Sequence, residues 1–454
     1  MSDNFRLTSR LLLLLMPFLM AACSGSGTGN QGSELFSLAV PASVTLVEGD
    51  AAGIDVPVTL TRAGSFDGEV ALTVSGTQNG DDANVTSVFS DTTLQSGVGS
   101  STLNLRLSID ALPILPQTRQ FTVTATGTGD LSTERASVVL NVDVTPVDAM
   151  DVYLLIGQSN MVGFSGDGTK QAGPGEPDEP NERIFQLNVS KNSESEIFID
   201  AASYTDPAVI AVEPRLVIAE DPLHVPQDPD SRAKEENYIG LGLSFAKQAL
   251  NYTSRTIVLV PAAWSGSAFC SSSLPSAYWN AQEQPDNPAT GNTLLFDRAI
   301  ARTNLALTES GGILRGILWH QGESDDVPEN PACAQQYQQN LQLLAGELRA
   351  RIQADRRGID ARRADANIPF VVGTMSRGID ERGDFSGLSA EKAIIDGVHR
   401  SVASLIPHAA VSLHDDLVPP AYPCGNTSCI HFGAEAFREM GVRYHSALRE
   451  AANR

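Results

Sequence analysis

Asp151-Val152-Tyr153-Leu154-Leu155-Ile156-Gly157-Gln158-Ser159-Asn160-Met161 is the stretch on which the fold turns. Its apolar run, Val152–Ile156, is too short for a buried helix and shows no polar alternation. It therefore reads as a strand covered on both faces. Thr256–Val260, Ile317–Trp319 and Phe370–Val372 are runs of the same kind. Between them lie helical stripes. Tyr337, Leu341, Leu344, Leu348 and Ile352 recur at helical spacing, as do Phe296, Ile300, Thr303 and Leu307 after the capping candidate Asn292. Phe437, Met440, Tyr444 and Leu448 form a third stripe. Strands alternating with helices predict parallel βαβ units and a three-layer α/β domain over 151–454. Ligands of such sheets bind beyond the C-terminal ends of the strands. Gly166 to Asn237 is rich in Pro and Asp and reads as a loop-rich insertion near that edge.

Upstream, 34–147 has a different grain. Ser43–Val47, Val56–Thr61, Val70–Val74, Thr102–Leu107, Phe121–Ala125 and Val138–Val144 are short alternating runs rich in Val, Thr and Leu. Their regular spacing predicts an all-β antiparallel sandwich that resembles the immunoglobulin-like modules of bacterial surface proteins. The stretch has no Cys, His or Trp. It is a spacer or a sugar-binding module, and the absence of a tryptophan platform favours the spacer.

The first residues carry an export signal. Arg6 and Arg10 precede the apolar run Leu11–Met20, which Pro17 interrupts and which is too short to span a bilayer. It ends in Leu19-Met20-Ala21-Ala22-Cys23, which resembles a bacterial lipoprotein signal with Met20 in the usual place of Leu. That resemblance implies a lipidated Cys23, and Ser24 after it implies sorting to the outer membrane. Residues 24–33 then form a Gly- and Ser-rich tether. The lipid is the expected link to the membrane. Four cysteines remain: Cys270, Cys333, Cys424 and Cys429. In an oxidising compartment they suggest two disulfides with three possible connectivities, Cys424 with Cys429 being the most local. The net charge of -23 over 454 residues excludes nucleic acid as a natural partner. There is no H-E-x-x-H and no phosphate loop, so neither a metal nor another cofactor is expected.

Chemistry gathers at strand ends. Ser159 follows the first run on a Gly-containing turn, where a nucleophile can face a cleft. This is not the G-x-S-x-G elbow, because Met161 holds the place of the second Gly. Pro261-Ala262-Ala263-Trp264-Ser265-Gly266-Ser267 follows the second run, and its Gly can bring a backbone N–H to a reacting oxygen. Trp319-His320-Gln321-Gly322-Glu323-Ser324-Asp325 crowds amides and carboxylates at the end of a third strand. Cys429-Ile430-His431-Phe432-Gly433-Ala434 places a histidine just before the last helix.

Taken together these four segments resemble the SGNH hydrolases, and among them the sialate O-acetylesterase and acetylxylan esterase branch, carbohydrate esterase family six. The resemblance spans about Asp151 to Arg454. It implies a serine esterase acting on acetylated carbohydrate through an acyl-enzyme, with Ser159 as nucleophile and His431 as base. It implies an oxyanion hole from the N–H groups of Ser159 and Gly266 with the Gln321 side chain, and substrate contacts from Gln158, Asn160 and His320. Many relatives carry Asp three residues before the histidine, where this chain has Ser428. Glu323 is the expected replacement acid, ahead of Asp325 and Asp415. Two other readings stand beside this one: a surface glycan-binding protein with a degenerate hydrolase domain, and an esterase for other esters.

Overall fold

The computed structural model describes residues 33–50, 52–76, 85–107, 115–163, 170–190, 206–225, 238–269, 278–279, 281, 295–327, 330–352, 367–377, 389–417 and 430–454. The signal and tether, Cys23, Cys270, Cys424, Cys429, Asn292 and Ser428 lie outside them.

The N-terminal part is all β. β1 (Phe36–Ala39), β2 (Ser43–Val47), β3 (Ile54–Arg62), β4 (Val70–Gly76), β5 (Val85–Phe89), β6 (Thr93–Leu94), β7 (Ser100–Leu107), β8 (Gln117–Gly127) and β9 (Arg135–Thr145) make two sheets. Their orders are β1-β3-β7-β5 and β2-β9-β8-β4-β6. Every pairing is antiparallel except β2 with β9. Alternate residues of β3, Val56, Val58 and Leu60, enter a core shared with Leu103, Leu105, Val123 and Val142. This is the period-two pattern that the sequence displays.

A third sheet follows. β10 (Asp151–Gly157), β11 (Ile184–Val189), β12 (Ala211–Ile218), β13 (Ile257–Pro261), β14 (Ile313–His320), β15 (Phe370–Gly373) and β16 (Ala409–Ser412) form seven strands in the order β12-β11-β13-β10-β14-β15-β16. All neighbours are parallel except the edge pair β11–β12. Val152, Leu154 and Ile156 of β10 pack with the helices Leu295–Ser310, Ala332–Arg351 and Ala390–Leu405. Tyr153 and Leu155 face the other way, against Leu241–Ala249 and Ala434–Ala452. Helices on both faces explain why these strands carry no polar alternation. After β13 the chain crosses over β10 to β14, so strand order reverses at the C-terminal end of β10. Such a reversal opens a crevice.

The stretch Gly166–Asn237 was expected to be loop-rich, and its described part corrects that. It supplies β11, the helical turn Pro207–Ile210 and β12. β12 holds a cis Glu213–Pro214 bond and is an edge strand, a position where Pro is tolerated. The buried amides of Gln186 and Asn188 in β11 satisfy backbone groups around it. Gln186 donates to Leu223 O at 3.0 Å and accepts from Glu220 N at 3.0 Å, and Asn188 donates to Pro214 O at 3.2 Å.

Where the sandwich meets the seven-stranded sheet, four charged side chains are buried together. Glu48 continues β2 and comes from the sandwich. Asp151 opens β10, and Arg255 precedes β13. Arg315 is the extra residue of a bulge in β14, since Val152 pairs with Leu314 and Tyr153 with Gly316. Arg255 reaches Glu48 and Asp151 at 2.9 Å each, and Arg315 reaches Asp151 at 2.9 Å and Glu48 at 3.5 Å. Thr253 Oγ1 donates to Asp151 at 2.8 Å, and Val147 N donates to Glu48 at 3.2 Å. Both carboxylate side chains are fully shielded from solvent. Two carboxylates against two guanidiniums neutralise each other, and removing one partner leaves a buried charge uncompensated. Glu48→Ala is therefore expected to lower the unfolding free energy by about 3–5 kcal/mol. Urea denaturation checks this, with the exposed Glu69→Ala expected to stay within about 0.5 kcal/mol.

Candidate active site

Three strand ends converge on Gly157. Its carbonyl accepts from Trp264 N at 2.9 Å and from Ser267 Oγ at 3.2 Å, which ties down the segment after β13. On the other side, Gln158 N donates to His320 O at 2.9 Å, at the end of β14. Gly157 has a φ of 134°, and a Cβ there would lie 2.0 Å from His320 O. Only glycine fits.

Beyond Gly157 the chain makes the single helical turn Ser159–Val162. Met161 N and Val162 N bond to Gln158 O, while Ser159 N and Asn160 N occupy the first positions of the turn, where no intrahelical acceptor exists. Ser159 Oγ lies 2.9 Å from His431 Nε2. His431 is half-buried on the segment that leads into Ala434–Ala452. On the other flank, Trp264–Ser267 is a turn closed by Ser267 N to Trp264 O at 3.3 Å. Gly266 is its third residue at a φ of 70°, the conformation a type II turn requires there. Ser267 is buried, shares its one hydroxyl hydrogen between Trp264 O at 2.7 Å and the more distant Gly157 O, and accepts from Trp279 Nε1 at 2.8 Å.

The segment after β14 forms the rear wall. Glu323 Oε1 accepts from Asn160 Nδ2 at 2.7 Å and stands 3.7 Å from His320 Nε2. Burial works to raise the Glu323 carboxyl, but His320, the backbone N–H of its own loop and Lys392 outweigh it and hold it at about 2. Burial lowers the His431 imidazole below its ordinary value, and the charge of Glu323 pulls the other way. Asp325 accepts from Gln321 Nε2 at 2.7 Å and from Phe269 N at 2.9 Å. Asp415 is paired with Arg377 and Arg400. Of the three carboxylates expected near the histidine, Glu323 acts on its charge.

The sequence reading assigned substrate contacts to Gln158, Asn160 and His320, and the structure shows what their side chains bond within the protein. Each is buried; Gln158 and Asn160 bond backbone groups, and His320 meets the Tyr444 hydroxyl. Gln158 Oε1 accepts from Ser324 N at 3.2 Å and, at the limit of hydrogen-bond length, from Gly322 N at 3.5 Å. The hydroxyl hydrogen of Tyr444 goes to Trp319 O at 2.8 Å, and His320 Nδ1 lies 2.9 Å from Tyr444 Oη. Asn160 joins three segments, as taken up below. Gln321 was expected in an oxyanion hole. Its Nε2 donates to Ser267 O at 3.1 Å and to Asp325, which uses both amide hydrogens. Flipping the amide would set its oxygen against two acceptors, so the orientation is chemically fixed. The other two donors of that expectation, Ser159 N–H and Gly266 N–H, lie on the turn after β10 and the turn after β13. Cys333 is buried and disulfide-bonded, with its partner outside the described residues. Tyr337, missed in the sequence as anything but a helix stripe residue, supports the same wall. It donates to Gln321 O at 2.9 Å and meets His399 Nε2 at 2.9 Å. A lone tyrosine in an apolar stripe gives no sequence signal for this.

The comparisons with known proteins bear on the same region. The model of a family described as carbohydrate esterase, sialic acid-specific acetylesterase, matches residues 149–450. Among curated proteins no sequence matches. The chain is similar in structure to a carbohydrate acetylesterase from Xanthomonas citri, at TM-score 0.44 and 18% identity over 94% of this chain and 76% of that one. It is also similar to domains 4 and 5 of an S-layer protein, at TM-score 0.17 and 15% identity over 24% of this chain and 50% of that one. The apo CBD1 domain of Calx gives TM-score 0.18 and 13% identity over 25% of this chain and 99% of that one.

The two opposing influences on His431 give a signed expectation. Its imidazole titrates below the free value of about 6.5, and Glu323→Gln, which removes the raising charge, takes it lower still. Imidazole NMR shifts followed against pH check both; an upward move in the variant contradicts the assignment.

Proposed function

Because the chain belongs to the carbohydrate esterase, sialic acid-specific acetylesterase family, we propose that it is a serine-dependent carbohydrate O-acetylesterase of the SGNH type. The observation that carries this reading is the 2.9 Å contact between Ser159 Oγ and His431 Nε2 at the crevice of a parallel sheet. A serine hydroxyl is a poor nucleophile until an adjacent base takes its proton. In this reading Ser159 Oγ attacks the acetyl carbonyl while His431 Nε2 accepts the proton. The carbonyl oxygen becomes an oxyanion that Ser159 N–H and Gly266 N–H stabilise, an effect worth about 2.7–4 kcal/mol per donor. Collapse of the tetrahedral intermediate breaks the bond to the sugar oxygen, which takes the proton from His431 and leaves as a hydroxyl. Water, deprotonated by the same imidazole, then cleaves the acyl-enzyme and frees acetate. Glu323 fills the place of the acid, and its negative charge favours the imidazolium formed in each half-reaction.

The depressed imidazole suits this role. A base held below its ordinary value is neutral, and able to accept a proton, down to a lower pH. The substrate class follows from the family: an acetylated sugar, with O-acetylated sialic acid first and acetylxylan second. The same reading takes 1–23 as a lipoprotein signal with Cys23 lipidated. It places the enzyme at a bacterial outer membrane, treats 34–147 as an immunoglobulin-like spacer, and pairs Cys424 with Cys429 and Cys270 with Cys333.

Acetate release from O-acetylated sialic acid, acetylxylan and a small acetyl ester tests the proposal. Wild type is expected to turn over at least one sugar ester. Ser159→Ala is expected to lower kcat roughly 10^4-fold or more, and Glu323→Gln about a hundredfold. Binding of acetylated glycan without acetate release points instead to a glycan-binding protein. Preference for long-chain aryl esters points to an esterase of another class.

A further inference from the structure

Asn160 follows the nucleophile directly and is completely buried. Its side chain has two hydrogens and one oxygen to place, and all three are used. Nδ2 donates to Glu323 Oε1 at 2.7 Å and to Ile430 O at 2.8 Å, while Oδ1 accepts from Phe432 N at 3.2 Å. The two backbone partners are the neighbours of His431 on either side. One amide therefore grips the histidine segment before and after the imidazole, from a residue that shares its peptide bond with Ser159. Glu323 fixes which way the amide faces, because a carboxylate only accepts at this pH and Nδ2 must turn toward it. Phe432 is itself buried, edge-on to the rings of His320 and His414 at 5.9 Å each, so the far side of the grip cannot slide.

From this geometry, and resting on the serine-esterase reading above, we propose that Asn160 is a positioning residue that sets His431 Nε2 at hydrogen-bond distance from Ser159 Oγ, and that Glu323 acts on the imidazole in part through Asn160. Asn160 touches no substrate in this assignment. The carboxylate has two routes to the histidine. Its charge acts through space, and its hydrogen bond orients the amide that holds the histidine backbone. A displacement of about 1 Å at a reacting group costs on the order of a hundredfold in rate. The grip is therefore a kinetic device as much as a structural one.

The test is a double-mutant cycle on the full chain. Asn160→Asp is nearly isosteric but sets an acceptor against Glu323 Oε1 and against Ile430 O. It is expected to lower kcat about a hundredfold while KM changes by less than about twofold. Combining it with Glu323→Gln restores an amide–carboxylate pair with donor and acceptor exchanged. The double variant is then expected to be less impaired than the product of the two single losses, as coupled neighbours are. Multiplying losses, or a loss carried in KM, overturns the proposal. Asn160→Ala serves as the second probe. His431 NMR shifts are expected to move in it toward those of an exposed imidazole, with far-UV circular dichroism unchanged. Unmoved His431 signals overturn the proposal whether or not the protein turns over ester. That readout separates failure of the positioning role from failure of the esterase reading, which shows instead as turnover indifferent to Ser159→Ala.

Discussion

The site depends on a close approach that tolerates no side chain. β10 and β14 run so near each other at their C-terminal ends that position 157 has room only for hydrogen, and the carbonyl of Gly157 also holds the segment after β13. Ser159, Gly266 and Glu323 follow three different strands, β10, β13 and β14. What makes them one site is that all three strand ends bond to, or press against, a single residue. The parallel sheet supplies the direction and the strand reversal supplies the crevice. Gly157 supplies the scale.

Around that point the polar side chains form a network in which most members answer to backbone groups. Gln158 serves the loop of Glu323, Gln321 serves Ser267 and Asp325, Tyr337 serves Gln321, and Tyr444 serves Trp319. Buried polar groups are costly unless satisfied, and satisfied networks rigidify what they touch. Rigidity here falls on the loops, which ordinarily move most. The carboxylates divide the labour. Asp325 ties one loop to another, Asp415 balances two arginines, and the charge of Glu323 acts to raise the His431 imidazole.

Much of this was legible in the residues. Continuous apolar runs located β10, β13, β14 and β15, and three helical stripes located the helices Leu295–Ser310, Ala332–Arg351 and Ala434–Ala452. Both signals arise from burial on both faces of one sheet and on one face of each helix, which leave a period that can be read directly. β11 and β12 escaped because an edge strand with a proline and a partner with two buried amides carries no such period. The helix Leu241–Ala249 escaped because it is short and begins after glycine. Ser159 and His431 were readable as chemistry at strand and helix ends. The internal hydrogen bonds of Gln158, Asn160 and His320 were not. Each depends on partners more than a hundred residues away, and a polar residue beside a nucleophile looks the same in sequence whether it touches a ligand or a backbone carbonyl.

The charged cluster of Glu48, Asp151, Arg255 and Arg315 lies at the opposite edge of the sheet from Ser159, about 20 Å away along β10 at the usual rise per strand residue. It bears on how such a chain is inherited. A catalytic part grafted behind a different β module carries two guanidiniums with only Asp151 between them, unless the newcomer brings an acid to the place of Glu48. The seam at 145–151 is then a poor site for recombination, although it looks like a linker. A substitution at Glu48 is felt by arginines that lie some two hundred residues downstream or more.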